Sequence, residues 1–206
     1  MSRLRILLDN GHGNNTPGKC SLRWTDGAQL YEYEFNRDIV RRIADKLASK
    51  GITFDIITPE LTDITLHQRA NRVNHICNVN GVRNCLLISI HANASENHNA
   101  TGWEVWTTPG KTLSDRYAEI FYKKAQASFP GWKMRSDTTD GDHDKEARFA
   151  ILRKSLCPAI LTENFFMDFE KDCRFIMSED GRNQIAQMHF DAILDCIDFY
   201  EKLSKQ

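Results

Sequence analysis

The chain has 206 residues, and its 27 Lys and Arg stand against 28 Asp and Glu for a formal net charge of −1. At that length folding buries roughly 70% of the unfolded surface, enough for one domain built as a sheet with helices on both faces. The balanced charge gives no footprint for nucleic acid, and no apolar run approaches the ~20 residues of a membrane helix, so neither nucleic acid nor stable membrane association is expected.

Arg5-Ile-Leu-Leu8 is a short apolar run without helical period, followed by Asp9-Asn10-Gly-His-Gly13. It reads as a buried strand ending in a Gly-rich turn, in which Gly11 and Gly13 give the backbone access to positive φ and bring His12 to the strand's end. Residues 14–28 form a loop by their Gly, Asn, Thr and Pro content. From Tyr33 to Lys50, Phe35, Ile39, Ile43 and Leu47 recur every four residues, predicting an amphipathic helix that Gly51 stops. A second strand spans Ile52 to Thr58, and a second helix carries Leu66, Ala70, Val73, Ile76 and Cys77 up to Asn80-Gly81.

Cys85 to Ile90 predicts another central strand, which delivers His91. Trp103 to Thr107 alternates as a strand, with one tryptophan expected in the core and the other a candidate for stacking on substrate. Leu113 to Phe129 has helical spacing. Residues 132–148 are charged and aperiodic, predicting a surface loop that borders a cleft and influences substrate choice without supplying a metal ligand. Ala159 to Thr162 is the last strand and delivers Glu163, and the C-terminal helix runs from about Asn183 to Leu203. The βα alternation predicts one α/β domain over residues 1–206 with a mostly parallel central sheet.

Six cysteines are scattered without a CxxC pair and are expected as buried thiols. His67, His75, His98 and His189 read as surface or core-edge side chains, and His143 as solvated. Three strands thus end in His12, His91 and Glu163, with Glu32 at the entrance to the first helix. A catalytic zinc site takes three N or O ligands and keeps a position open for water. Two histidines and a carboxylate meet that need and leave a second carboxylate as general base. On pattern alone a structural histidine at each strand end is the competing reading. A nucleotide site at the Gly-rich turn is excluded by the lack of GxGxxG or a P-loop Lys-Ser/Thr.

Four segments carry a resemblance: Leu8-Asp-Asn-Gly-His-Gly13, Tyr31-Glu-Tyr-Glu-Phe-Asn36, Ser89-Ile-His-Ala-Asn-Ala94 and Ala159-Ile-Leu-Thr-Glu-Asn-Phe-Phe166. Their types and order resemble the zinc-dependent N-acetylmuramoyl-L-alanine amidases of the Amidase_3 type. The resemblance implies a phosphorylase/hydrolase-like fold, Zn2+ as cofactor, and peptidoglycan or a muropeptide as partner. It implies His12 and His91 as metal ligands, Glu32 as the third, and Glu163 as the catalytic base. Glu34 is the rival third ligand, because two acids two places apart point about 200° apart on a helix and only one faces the metal. Asn93 is a candidate substrate contact. The implied reaction is hydrolysis of the amide between N-acetylmuramic acid and L-alanine, and the alternative is a non-catalytic muropeptide-binding module of the same fold. Met1-Ser-Arg-Leu leads into the first strand without an export signal, which predicts a phage-type lysin or a leaderless form of a secreted wall enzyme.

Overall fold

In the computed structural model, which describes residues 4–205, six strands form one sheet in the order β2-β1-β3-β6-β4-β5. They are β1 (Arg5–Asn10), β2 (Phe54–Ile56), β3 (Cys85–Asn93), β4 (Trp103–Thr107), β5 (Lys145–Glu146) and β6 (Ala159–Phe166). Every pairing is parallel except β4 against β6. The helices are α1 (Glu32–Ser49), α2 (Leu66–Asn80), α3 (Leu113–Ser128), α4 (Ala150–Lys154), α5 (Glu170–Met177) and α6 (Glu179–Leu203). This is the α/β architecture predicted, with helices on both faces of a mostly parallel sheet.

The two-residue period of the strands decides what each face does. Ile6, Leu8, Leu86, Ile88, Ile90, Ile160 and Val105 face a large core shared with Phe35, Ile39 and Ile43 of α1, Phe121 of α3 and Ile193 of α6. The alternate residues Leu7, Leu87 and Leu161 pack in a smaller core against Val73 and Cys77 of α2 and Ile151 and Leu152 of α4. Further along the same strands this second face turns polar, through Asp9, Ser89, His91, Glu163 and Glu104, which lie side by side in the ladder register. The smaller helical layer leaves His91 and Glu163 of that stretch partly exposed, while Asp9, Ser89 and Glu104 are buried.

Several elements extend beyond their apolar runs. β1 continues through Asp9 and Asn10 because its backbone stays paired with Ser89 and Ile90 of β3. β3 and β6 run past Ile90 and Thr162, so His91 and Glu163 are strand residues and not the first residues after a strand. β2 is shorter than expected, and α6 starts at Glu179, where the Ser178 side chain accepts from the Gly181 amide. α5 falls in a segment with no predicted element.

Residues 132–148 are mostly irregular and exposed, in keeping with the expected surface loop, but they are tied to the sheet at several points. Met134 bridges to Trp103 and β5 adds to the sheet beside β4. Asp144 is buried and accepts from Thr107 Oγ1 at 2.5 Å. The acidic middle lies over α3, where His143 Nδ1 donates to Glu119 Oε2 at 2.8 Å and its ring stacks on Tyr122. Only Arg135 and Lys145 reach the polar face of the sheet, through Glu104. His189, expected at the surface or core edge, is fully buried, because both its ring nitrogens find partners inside: Nδ1 donates to the Ile185 carbonyl and Nε2 accepts from Thr162 Oγ1. The cysteines are free thiols, all buried except the half-buried Cys20.

Candidate metal centre

β1 leads into Gly11-His12-Gly13, and the two glycines are required by clearance. A Cβ on Gly11 would lie 2.1 Å from His91 Cε1, and one on Gly13 would lie 2.0 Å from the Asp63 amide nitrogen. The positive φ expected of the glycines belongs instead to His12, at 62°. Two arginines hold this left-handed residue through its carbonyl, which accepts from Arg37 Nη1 at 2.9 Å and Arg69 Nη2 at 3.2 Å.

Glu32 is the first residue of α1, and its carboxylate is buried between the two histidines. Oε1 accepts from the Ala92 amide at 3.3 Å and lies 3.0 Å from His91 Nδ1. Oε2 lies 3.4 Å from His12 Nε2 and has no hydrogen-bond partner. Asn36, one turn on, donates to the Gly11 carbonyl at 3.0 Å and to Glu32 Oε1 at 3.4 Å, tying helix to turn. Glu34 is exposed and accepts from the Tyr33 hydroxyl, on the far side of the helix.

The donor atoms of His12, Glu32 and His91 all lie within 4.8 Å of one another. Burial pushes His12 down to about 4, so at neutral pH its imidazole is uncharged and offers a lone pair. Burial alone would lower His91 too, but its bond to Glu32 outweighs this and raises it. For Glu32 burial opposes ionisation, and the His91 bond and the two histidine charges overcome it and hold the carboxyl low. The Glu32 bond thus favours a proton on His91, and a cation entering the trio would compete with that proton for the same site. The two imidazoles, the carboxylate and the orphaned Oε2 fit a divalent metal of nitrogen and oxygen preference.

Glu163 sits directly across the β3–β6 ladder from His91. Its Oε2 has no partner, and burial pushes it up to about 8. Just beyond it β6 carries one extra residue, since His91 pairs Glu163 but Asn93 pairs Phe166, and Phe165 has φ 67°. Asn164 fastens this bulge by donating to the His91 carbonyl at 3.0 Å and accepting from Trp103 Nε1 at 2.9 Å. Trp103 is thus the core tryptophan, and half-buried Trp106 packs edge-on against Phe149. Asn93 donates to Glu104 at 2.7 Å, so its amide is engaged within the protein.

Sequence reasoning missed Arg37, Arg69, Glu104 and Asn164. A signal existed for Arg69: Asp9 inside a buried strand demands a cation, and Arg69 of α2 supplies it at 2.6 Å. Beside the histidines a cavity of about 460 Å³ is lined by Asn15, Asp63, Thr65, Leu66 and Ile151.

The family model for N-acetylmuramoyl-L-alanine amidase, Amidase_3, matches residues 6–195. The chain belongs to this amidase family. Among curated relatives, N-acetylmuramoyl-L-alanine amidase LytC of Bacillus subtilis (strain 168) is 28% identical over 188 residues, covering 90% of this chain and 34% of that protein. The endolysin of Bacillus phage SPP1 is 26% identical, covering 98% of this chain and 69% of that protein. The chain therefore spans about a third of the length of LytC, at 34%. Among solved structures, the amidase AmiC2 of Nostoc punctiforme superimposes with a TM-score of 0.77 at 25% identity, covering 95% of this chain and 98% of that one. An amidase from Clostridium difficile 630 gives 0.77 at 27% identity, covering 96% and 98%. Among the described residues no helix is long and apolar enough to cross a membrane.

Proposed function

We propose that this amidase-family chain hydrolyses the amide between N-acetylmuramic acid and L-alanine in peptidoglycan, with a zinc ion held by His12, Glu32 and His91. The observation that carries the reading is the trio of donor atoms within 4.8 Å, with Glu163 across the ladder from one of them. Zinc, when bound, supplies Lewis-acid polarisation of the scissile carbonyl and a lowered pKa for the attacking water. Glu163 takes the proton from that water and delivers it to the nitrogen of the leaving L-alanine. Its burial makes it a willing proton carrier, and positive charge in the neighbouring trio favours the ionised form needed for the first transfer. Glu32 orients the His91 ring, Asn36 holds Glu32 and the Gly11 carbonyl, and the Arg37 and Arg69 bonds to the His12 carbonyl hold the turn.

All the groups needed for hydrolysis are present, so no residue favours the alternative of a non-catalytic muropeptide-binding module. The likeness to a phage endolysin and to wall amidases supports action at the cell wall. The test is metal analysis of the purified protein together with end-group analysis of digested cell walls. The expected result is about one zinc per chain and new amino-terminal L-alanine, lost on chelation and restored by zinc. Walls that release other termini, or cleavage that survives complete metal removal, would overturn the reading.

A further inference from the structure

On the same face as Glu163, and directly opposite it on β4, stands Glu104. Its side chain is only 2% exposed, yet it is fully satisfied. Oε1 accepts from Asn93 Nδ2 at 2.7 Å and Trp106 Nε1 at 3.0 Å, and Oε2 accepts from Arg135 Nε at 2.6 Å and Lys145 Nζ at 3.1 Å. One carboxylate thus faces two cations, and a single cation would balance it. Among the described residues neither cation has another acidic partner.

Both cations keep donors free and are held in place. The Arg135 guanidinium lies 5.2 Å over the Phe166 ring and is bonded through Nε, and among the described residues its two terminal nitrogens have no partner. Lys145 Nζ lies 4.2 Å over the Trp106 ring. Their side chains are 27% and 24% exposed, buried enough to be fixed and open enough to meet a ligand. A planar guanidinium held by one edge presents the other for a paired bond to a carboxylate, and little ordering remains to be done on binding.

We propose that Arg135 and Lys145 form a receptor for the free carboxylate on the second residue of the stem peptide. The inference rests on the hydrolase reading above and names a substrate group for it. With the scissile bond beside Glu163, two extended residues span about 7 Å. Neighbouring strands lie about 4.8 Å apart. A carboxylate on the second residue therefore spans the one strand spacing from Glu163 to Glu104 on β4 and reaches the Arg135 and Lys145 head groups bonded there. The cavity on the other side of the histidines is unsuited to it: Arg69 there is already bonded to Asp9 and Asp63. The glycan, which is rich in hydroxyls, suits that wall, where Asn15, Thr16 and Thr65 offer polar groups and, among the described residues, no cation is left uncompensated.

The test compares two synthetic substrates, N-acetylmuramoyl-L-alanyl-D-glutamate capped as its γ-methylamide, which keeps one free carboxylate on the second residue, and the counterpart in which that carboxylate is also an amide. The zinc-loaded wild type is expected to favour the acid by about tenfold or more in kcat/KM, mainly through KM, as fits a charged pair lost in the amide. Arg135→Gln and Lys145→Met should each pull the acid-to-amide ratio towards one, and Arg135→Lys should keep part of it. Taking the ratio within each variant removes any general loss of folded enzyme. A wild type without preference, or variants that keep the wild-type ratio, would overturn the proposal. If the wild type cleaves neither compound, the hydrolase reading fails. The acid-to-amide ratio of dissociation constants, measured by calorimetry on the same proteins, then decides the receptor on the same criteria.

Discussion

At Gly11 a missing Cβ makes room for the His91 ring, and at Gly13 it makes room for backbone from the next loop. Glu32 and Glu34 differ only in helical phase, and that phase puts one carboxylate between two imidazoles and the other in water. Binding and chemistry should separate at the two remaining groups. Glu163→Gln is expected to keep the metal and the fold while turnover drops by roughly two to four orders of magnitude, the usual contribution of a general acid–base group. His91→Ala should lower metal content and turnover together. Metal analysis beside a turnover assay checks both, and equal metal loss in the two variants would make Glu163 a ligand.

Among the elements, α2 is anchored to the site by charge as much as by its apolar stripe. Arg69 donates to Asp9 at 2.6 Å, to the Asn10 carbonyl at 2.8 Å and to Asp63 at 2.7 Å, so one buried side chain joins β1, the loop before α2 and the His12 turn. Asp9 also accepts from Ser89 and Thr58, which leaves it no route to water. Arg69→Met removes the cation and strands a buried carboxylate, a change that costs about 3–5 kcal/mol in comparable pairs. Urea unfolding should show a loss of that size, and Asp9→Asn in the same chain should restore part of it. A loss under 1 kcal/mol would mean that Ser89 and Thr58 alone satisfy Asp9. Residues 132–148 teach the same lesson: their polar sequence resembles a loop, but Asp144 and Lys145 are built into the sheet's edge.

For the whole molecule, two buried groups pull stability in opposite directions on acidification. Burial holds His189 neutral, down at about 4 against 6.5 for a free side chain. Between those values the unfolded chain binds a proton that the folded one refuses, so stability falls as pH drops, by about 3 kcal/mol in the limit. Asp144 is pushed up to about 7 by burial and by Asp142 facing it, against the bond from Thr107. Below pH 7 the folded state takes up that proton first, so this group gains stability on acidification. His189→Gln should therefore flatten the loss of stability between pH 6.5 and 4, and Asp144→Asn should steepen it. Thermal melts across that window read both slopes. Unchanged slopes would place neither titration in the folded state.

Most of the strands and the four long helices were legible in the sequence from their apolar period, though β5 and α5 were not, and the candidate trio with Glu163 was marked by strand-end histidines and by the resemblance of four short segments to the family. His12 follows β1, Glu32 opens α1, and His91 and Glu163 stand near the ends of β3 and β6, where a parallel sheet brings them together. What the sequence left open depends on partners far along the chain. Whether β1 stops at Leu8 or includes Asp9 is decided by Arg69, and how a lone His189 is buried is decided by Thr162. Whether Arg135 and Lys145 are loose loop charges or face the site is decided by Glu104 on a strand about thirty and forty residues earlier. A buried polar group is stable only with its partner in place. Local pattern shows that the group exists, and only the tertiary structure supplies the partner.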